Sequence, residues 1–263
     1  MITPTQWFQG TVWILALIGL VFRYSVTGQM AADPGMALLK ELAYFAAALG
    51  GFHLCGRISR ENLQRWGRPM VLAAIGVLVL MVLGLSARAN GASRWIDLGF
   101  MRFQPGELIK VVLVIYMADY LTRHGREVGE WKRGFLPAVG VMGTLFLLVV
   151  MQPDFGTALI LFTIGAWMML MAGSKLKHFS VLALAGLPAL VLLILSAPYR
   201  LQRVMAWFNP HEDLRGSAYQ VNQAKWAIAQ GGLLGRGLLG GDARLGYLPE
   251  CENDFIAAVW IRS

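Results

Sequence analysis

GFLPAVGVMGTLFLLVVMQPDFGTALILFTIGAWMMLMAG, residues 134–173, holds forty residues and one formal charge, Asp154. Apolar blocks at 134–151 and 155–173 flank the short turn that carries it. Each block is close to the roughly 20 residues that cross a bilayer core. A turn this short makes the two helices antiparallel neighbours. The stretch reads as a helical hairpin built for lipid, and the rest of the chain repeats the pattern.

Further apolar blocks lie at 10–27, 38–55, 69–87, 105–122 and 179–196, and an eighth opens near Phe255. The expected fold is an all-α polytopic membrane protein with seven transmembrane helices and the start of an eighth. It reads as one transmembrane domain over 1–263. Apolar residues make up 57% of the chain and charged residues 14%, against roughly 25% charged in soluble domains. The first block lacks a basic leader and a small-residue cleavage site, so it reads as an anchor.

The basic residues set orientation. Loops 56–68, 122–133 and 174–178 carry ten Arg or Lys, while the alternate short loops carry Arg88, Arg94 and Arg102. Basic loops face the cytoplasm, so the N-terminus is expected there. The net charge of +8 is then a topology signal and not a nucleic-acid one. Arg23 runs against the trend and reads as snorkelling from a helix end. Cys55 and Cys251 fall on opposite sides, which excludes a disulfide between them; two cysteines imply no metal site.

The same reading puts loop 197–254 outside the membrane. Structureless loops of that length are uncommon unless functional. Ala218–Gln230 has the spacing of a short amphipathic interfacial helix. Gly231, Gly232, Gly235, Gly237, Gly240 and Gly241 follow and allow tight turns against a ligand.

Several charges need a reason. Glu107 and Lys110, three apart, share a helix face where they can pair. They either support folding as an ion pair or line a polar cavity. Asp154 suits an N-cap for the helix beginning near Gly156. Arg94, beside Trp95, is either an interfacial arginine or a grip for phosphate oxygens. Arg200 and Arg203 open the long loop beside Tyr199, as surface charges or as partners of an anionic headgroup. Tyr219, Gln220 and Lys225 fit a polar helix face. Asp254 precedes the apolar run from Phe255, where an acid either caps a helix or acts as a general base on a hydroxyl.

Taken in order, NGASRWIDLG, FQPGELIK, QPDFGT, YRLQRV with FNP, AYQ with NQ, GGLLGRGL and YLPECENDF resemble the motifs of the SEDS family (shape, elongation, division and sporulation). These are polytopic peptidoglycan glycosyltransferases of the FtsW, RodA and SpoVE kind. The resemblance runs from the first helix to Phe255, and NGASRWI is closer to the division-type FtsW branch.

The resemblance implies a substrate and a reaction. Family members polymerise lipid II, a disaccharide-pentapeptide on undecaprenyl pyrophosphate, at the outer face of the bacterial cytoplasmic membrane. The family's essential acid falls on Asp254, and Glu250 matches the Glu of the same motif. Arg244 stands where many members have Lys. Arg94, Arg200, Arg203, Lys225 or Arg244, with a divalent cation such as Mg2+ or Mn2+ as a candidate, would stabilise the departing pyrophosphate. Implied partners are a monofunctional class B penicillin-binding protein transpeptidase and other division proteins.

The departures are specific. Gly106 replaces a usual Ser, and Asn253 a usual Thr. The text after Phe255 leaves the family's Glu-Glu-Leu-Gly continuation. Family members have ten membrane helices, so a truncation after the opening of the eighth is expected. Two alternatives accompany the enzyme reading: a lipid II flippase, and an inactive divisome scaffold.

Overall fold

In the computed structural model, the described residues are 3–84, 87–89, 92–97 and 102–196, with 198, 201, 205, 222, 223, 225, 226, 228 and 229 beyond them. The helices are α1 (Pro4–Met30), α2 (Pro34–Cys55), α3 (Arg60–Val82), α4 (Pro105–His124), α5 (Leu136–Val150), α6 (Phe155–Met171) and α7 (Leu176–Leu195). Each of the seven expected apolar blocks holds one of these helices. Pro4–Ser25, Pro34–Cys55, Arg60–Val82 and Trp131–Val150 are each long and apolar enough to cross a membrane.

The chain divides into two units. The first contains the α1–α2 hairpin. Local chemistry sets its boundaries: Thr3 and Gln6 form a reciprocal capping box on α1, and Asp33 caps α2 through the amides of Gly35 and Met36. Each cap precedes a proline at the first helical position, where its missing N–H costs nothing. Arg23 does not simply snorkel. Its Nε lies 2.8 Å from both carboxylate oxygens of Glu41, which is buried.

The second unit, 58–189, holds α3 to α6 and the first part of α7. Its core packs Leu78, Leu113, Met117, Met142, Leu145, Leu161 and Met169, all essentially without exposure. Helices α5 and α6 approach closely because α6 offers Gly165, where a Cβ would stand 2.7 Å from Met142 Sδ. Small residues serve this purpose between membrane helices, where lipid gives no hydrophobic drive to pack. Helix α6 ends in a Schellman turn. The amides of Gly173 and Ser174 donate to the carbonyls of Leu170 and Met169, with Gly173 at φ +99°, a conformation glycine adopts without strain.

Three features depart from expectation. Helix α3 starts at Arg60 rather than 69, because Ser59 caps it through the amide of Asn62; Arg60, Arg65 and Arg68 therefore ride on its first turns. It ends at Val82 rather than 87. Short strands follow: β1 (Ala87–Ala89), β2 (Ala92–Asp97) and β3 (Arg102–Phe103) form an antiparallel meander. The residues between β1 and β2 are Asn-Gly, the strongest short-range hairpin signal. Before α5, Trp131–Phe135 forms a π-helical turn that stacks Trp131 on Phe135 and sets both against His178.

Candidate functional site

The α3 C-terminus, α4 N-terminus, α5 C-terminus and α6 N-terminus bring together Gln104, Gln152 and Asp154, while the buried Asp119, Ser174 and His178 lie near the other ends of α4 and α6. Helix α4 begins as its sequence dictates. Gln104 stands at the cap, Pro105 follows at the first position, and Glu107 lies in the first turn, where a negative charge complements the helix dipole. One turn on, Lys110 Nζ lies 2.7 Å from Glu107 Oε2. Glu107 is exposed, its side chain at 61%, and Lys110 is half-buried. The pairing expected from their spacing is present.

Asp154 joins two motifs. Its Oδ1 accepts from the amide of Thr157, capping α6, and its Oδ2 accepts from Gln104 Nε2 at 3.2 Å. The turn QPDFGT is thereby tied to FQPGELIK, fifty residues earlier. Gln152, also buried, donates to the carbonyl of Leu78 at 3.4 Å, which ties the same turn to α3. A Cβ at Gly106 would lie 3.2 Å from Thr157 Cγ2, so glycine there lets α4 and α6 close on each other. Gln104 and Gln152 were not singled out in the sequence. Each immediately precedes a proline, and that neighbourhood was their one local signal.

The remaining candidates divide by position. Arg94 lies in β2, which packs on α3 and α4, and Trp95 beside it is half-buried. Lys225 is exposed, and each described residue of 218–230 is helical, in keeping with a helix there. Arg200, Arg203, Arg244, Glu250 and Asp254 lie outside the described residues, as do Tyr199, Tyr219, Gln220 and Cys251. The structure therefore brings together Glu107 with Lys110, and Asp154 with the residue that caps α4. Among the described residues no three His, Cys, Asp or Glu side chains gather to hold a metal ion; the acids at 250–254 lie outside that set.

This end of the unit can do two things chemically. Asp154 fixes the α4 and α6 termini through two acceptors on one carboxylate. The Glu107–Lys110 turn offers an anionic and a cationic group at the start of α4, a helix that carries a second pair, Asp119–Arg123, near its other end; such groups in a membrane helix mark binding or transport paths.

The family profile described as "Cell cycle protein", for FtsW, RodA and SpoVE, matches residues 6–261. The "Probable peptidoglycan glycosyltransferase FtsW" of Escherichia coli O6:H1 is 41% identical over 249 residues, covering 93% of this chain and 60% of that protein. The protein of the same name from Shewanella sediminis is 37% identical, covering 83% of this chain and 54% of the relative. The "Stage V sporulation protein E" of Bacillus subtilis is 32% identical, covering 94% and 69%. A solved structure described as "Structural coordination of polymerization and crosslinking by a peptidoglycan synthase complex" superposes with a TM-score of 0.73 at 26% identity, over 96% of this chain and 70% of that one. The chain thus spans 60% and 54% of the length of the two FtsW relatives. It is a membrane protein with several spanning helices, and it belongs to the FtsW, RodA and SpoVE family of cell cycle proteins, the SEDS family.

Proposed function

We propose that this chain polymerises lipid II into glycan strands at the outer face of the bacterial cytoplasmic membrane. The observation that carries the reading is the 41% identity to a probable peptidoglycan glycosyltransferase across 93% of this chain. The ordered motifs from NGASRWIDLG to YLPECENDF support it residue by residue.

The arrangement has seven spanning helices, an eighth opening at Phe255, a cytoplasmic N-terminus and an extracytoplasmic loop 197–254, all within one transmembrane domain. The asymmetry of basic loops supports the orientation. Asp254 then lies at the outer mouth of the membrane, where the substrate's sugars are in water and its tail is in lipid. Its carboxylate takes the proton of the acceptor hydroxyl. The freed oxygen attacks the donor anomeric carbon with inversion, and the bond to undecaprenyl pyrophosphate breaks with its electron pair. Arg94, Arg200, Arg203, Lys225 and Arg244 are the cations for the pyrophosphate, and Glu250 belongs to the same motif as the base. Glu107 and Lys110 line the substrate path. The partner is a monofunctional class B penicillin-binding transpeptidase. The structural relative, a peptidoglycan synthase complex that coordinates polymerization and crosslinking, supports that pairing.

A second reading has an observation of its own. The Glu107–Lys110 pair in a membrane helix also suits translocation of the lipid-linked headgroup.

One experiment separates them. Asp254→Asn is assayed on purified lipid II, in this chain and in a chimaera continued with the remaining length of the Escherichia coli relative. Glycan chain length is the readout, and headgroup translocation in vesicles the counter-assay. Polymerisation should fall by about 10²–10⁴, the usual contribution of a general base, with lipid II binding retained. Full polymerisation by the variant sinks Asp254 as the base. Translocation without any polymerisation by the unsubstituted chimaera favours transport.

A further inference from the structure

The α1–α2 hairpin holds a cavity of about 420 Å³ where its two spans end, lined by Arg23, Thr27, Ala31, Asp33, Lys40 and Glu41. That volume lies within the roughly 300–1,000 Å³ of small-molecule sites. Helix α1 ends at Met30, and α2 opens at Pro34. The cavity therefore lies beside the turn of the hairpin, the end at which spanning helices leave the hydrocarbon for the headgroups.

Its charges are arranged unequally. Glu41 is buried, and both its oxygens are held by Arg23 Nε at 2.8 Å, so that pair neutralises itself. Lys40 and Asp33 remain. Lys40 Nζ stands 5.8 Å from the ring centre of Tyr44, and both residues are exposed. Among the described residues Lys40 has no carboxylate within ion-pair range, and Asp33 no cation. Asp33 spends Oδ1 on the amides of Gly35 and Met36, and among the described residues nothing donates to its Oδ2. The first amides of α2 are thus already satisfied, and any ligand must be recognised by side chains. What the cavity offers is one ammonium and one carboxylate, with net charge near zero.

We propose that this cavity is a binding site for a zwitterionic phospholipid headgroup bearing a primary ammonium. The lipid phosphate lies against Lys40 and the exposed side of the Arg23 guanidinium. The lipid ammonium donates to Asp33 Oδ2. The acyl chains follow exposed apolar side chains at the same level, Val21 on α1 and Met36 and Leu39 on α2. A purely anionic headgroup would satisfy Lys40 and be repelled by Asp33. A quaternary ammonium carries the charge but has no N–H to donate to Asp33. The site is therefore selective for its ligand through two contacts of opposite sign. It stands apart from the catalytic reading, since none of its residues takes part in that chemistry.

The test is competition among lipids. The full chain is placed in bilayers of equal parts phosphatidylethanolamine, phosphatidylglycerol and phosphatidylcholine, and co-released lipids are counted by native mass spectrometry. Phosphatidylethanolamine should be enriched about fivefold over each competitor, the scale of one charge-assisted hydrogen bond weakened by partial exposure. Asp33→Asn keeps a good cap and so should keep the helix content and thermal midpoint. It should erase the preference over phosphatidylglycerol. Lys40→Ala should lower retention of both phosphatidylethanolamine and phosphatidylglycerol. Equal retention of the three lipids by the unsubstituted chain, or enrichment of phosphatidylglycerol, overturns the proposal. So does an unchanged preference in folded Asp33→Asn.

Discussion

The α1–α2 hairpin and the α3–α6 bundle are both apolar, and they are held together differently. Helix α1 buries no residue of its span, and in α2 the buried residue is a charged one, Glu41. The bundle buries leucine and methionine from every helix and closes one end with Gln104–Asp154 and Gln152–Leu78. Hydropathy alone does not distinguish the two. In lipid it decides that a segment inserts, while close approach and polar bonds decide what it packs against. The hairpin's main specific bond, Arg23 to Glu41, joins two helices; the bundle also buries an acid, Asp119, but pairs it with Arg123 on the same helix, and joins its helices through apolar packing and amide bonds.

Glycine substitutions should break this contrast most sharply. Gly134 lies in the π-helical turn, and a Cβ there would collide with the carbonyl group of Glu127 and stand 2.6 Å from Val128 Cα. Those are backbone atoms that cannot rotate away. Gly134 also accepts a hydrogen bond from Tyr120 Oη at 2.9 Å. Gly134→Ala should cost about 3 kcal/mol or more, the upper range of overpacking. Gly50, on the hairpin, has nothing within 4 Å of its Cβ position. Gly50→Ala should change stability by no more than about 1 kcal/mol, and in the stabilising direction. Thermal midpoints in one detergent compare the two directly. Equal midpoints would mean that the bundle's turn is no tighter than the hairpin.

The next effect belongs to the hairpin. Arg23→Ala leaves Glu41 buried without its partner. Breaking a buried pair costs roughly 3–5 kcal/mol, but the Arg23 side chain is 44% exposed, so solvent screening reduces the expected loss to about 1–3 kcal/mol. Replacing both residues by leucine should recover most of it, because a well-packed apolar pair substitutes for a buried ionic one at little cost. Thermal unfolding of Arg23→Leu, Glu41→Leu and the double closes the cycle. If the double is as unstable as Arg23→Ala, the ion pair is not what joins α1 to α2.

The sequence made much of this legible, and for identifiable reasons. Apolar blocks marked all seven helices because length and hydropathy are local properties. Asp154 before Phe-Gly-Thr announced a cap, and Glu107 with Lys110 announced a pair, because both signals act within four residues. Arg23 with Glu41 went unread because it spans eighteen positions and depends on how two helices cross. The early start of α3 was obscured by four arginines that look like a loop, although Ser59 before Arg60 is a cap. The meander at 87–103 was hidden among membrane helices, despite its Asn-Gly. The motif that names the chemistry, YLPECENDF, was readable through resemblance. Its acid, Asp254, lies outside the described residues.

The smallest structural effect should come from Glu107 and Lys110, and that makes the pair informative. They are three residues apart on one helix, and Glu107 is largely exposed. Pairs of this kind contribute about 0.2–0.5 kcal/mol, and Glu107 adds a first-turn dipole interaction of about 0.3–1 kcal/mol. Glu107→Gln with Lys110→Gln should therefore lower stability by about 1 kcal/mol at most. If the pair lines the substrate path, the same double variant should lose at least tenfold in lipid II polymerisation, measured in the chimaera that carries the relative's remaining length. The two numbers must be read together. A large loss of activity at unchanged stability assigns the pair to substrate. A loss of stability well beyond 1 kcal/mol would instead make it a structural bond like Arg23–Glu41, and the difference between the two regions would narrow accordingly. Full activity at full stability would remove both residues from the proposed path.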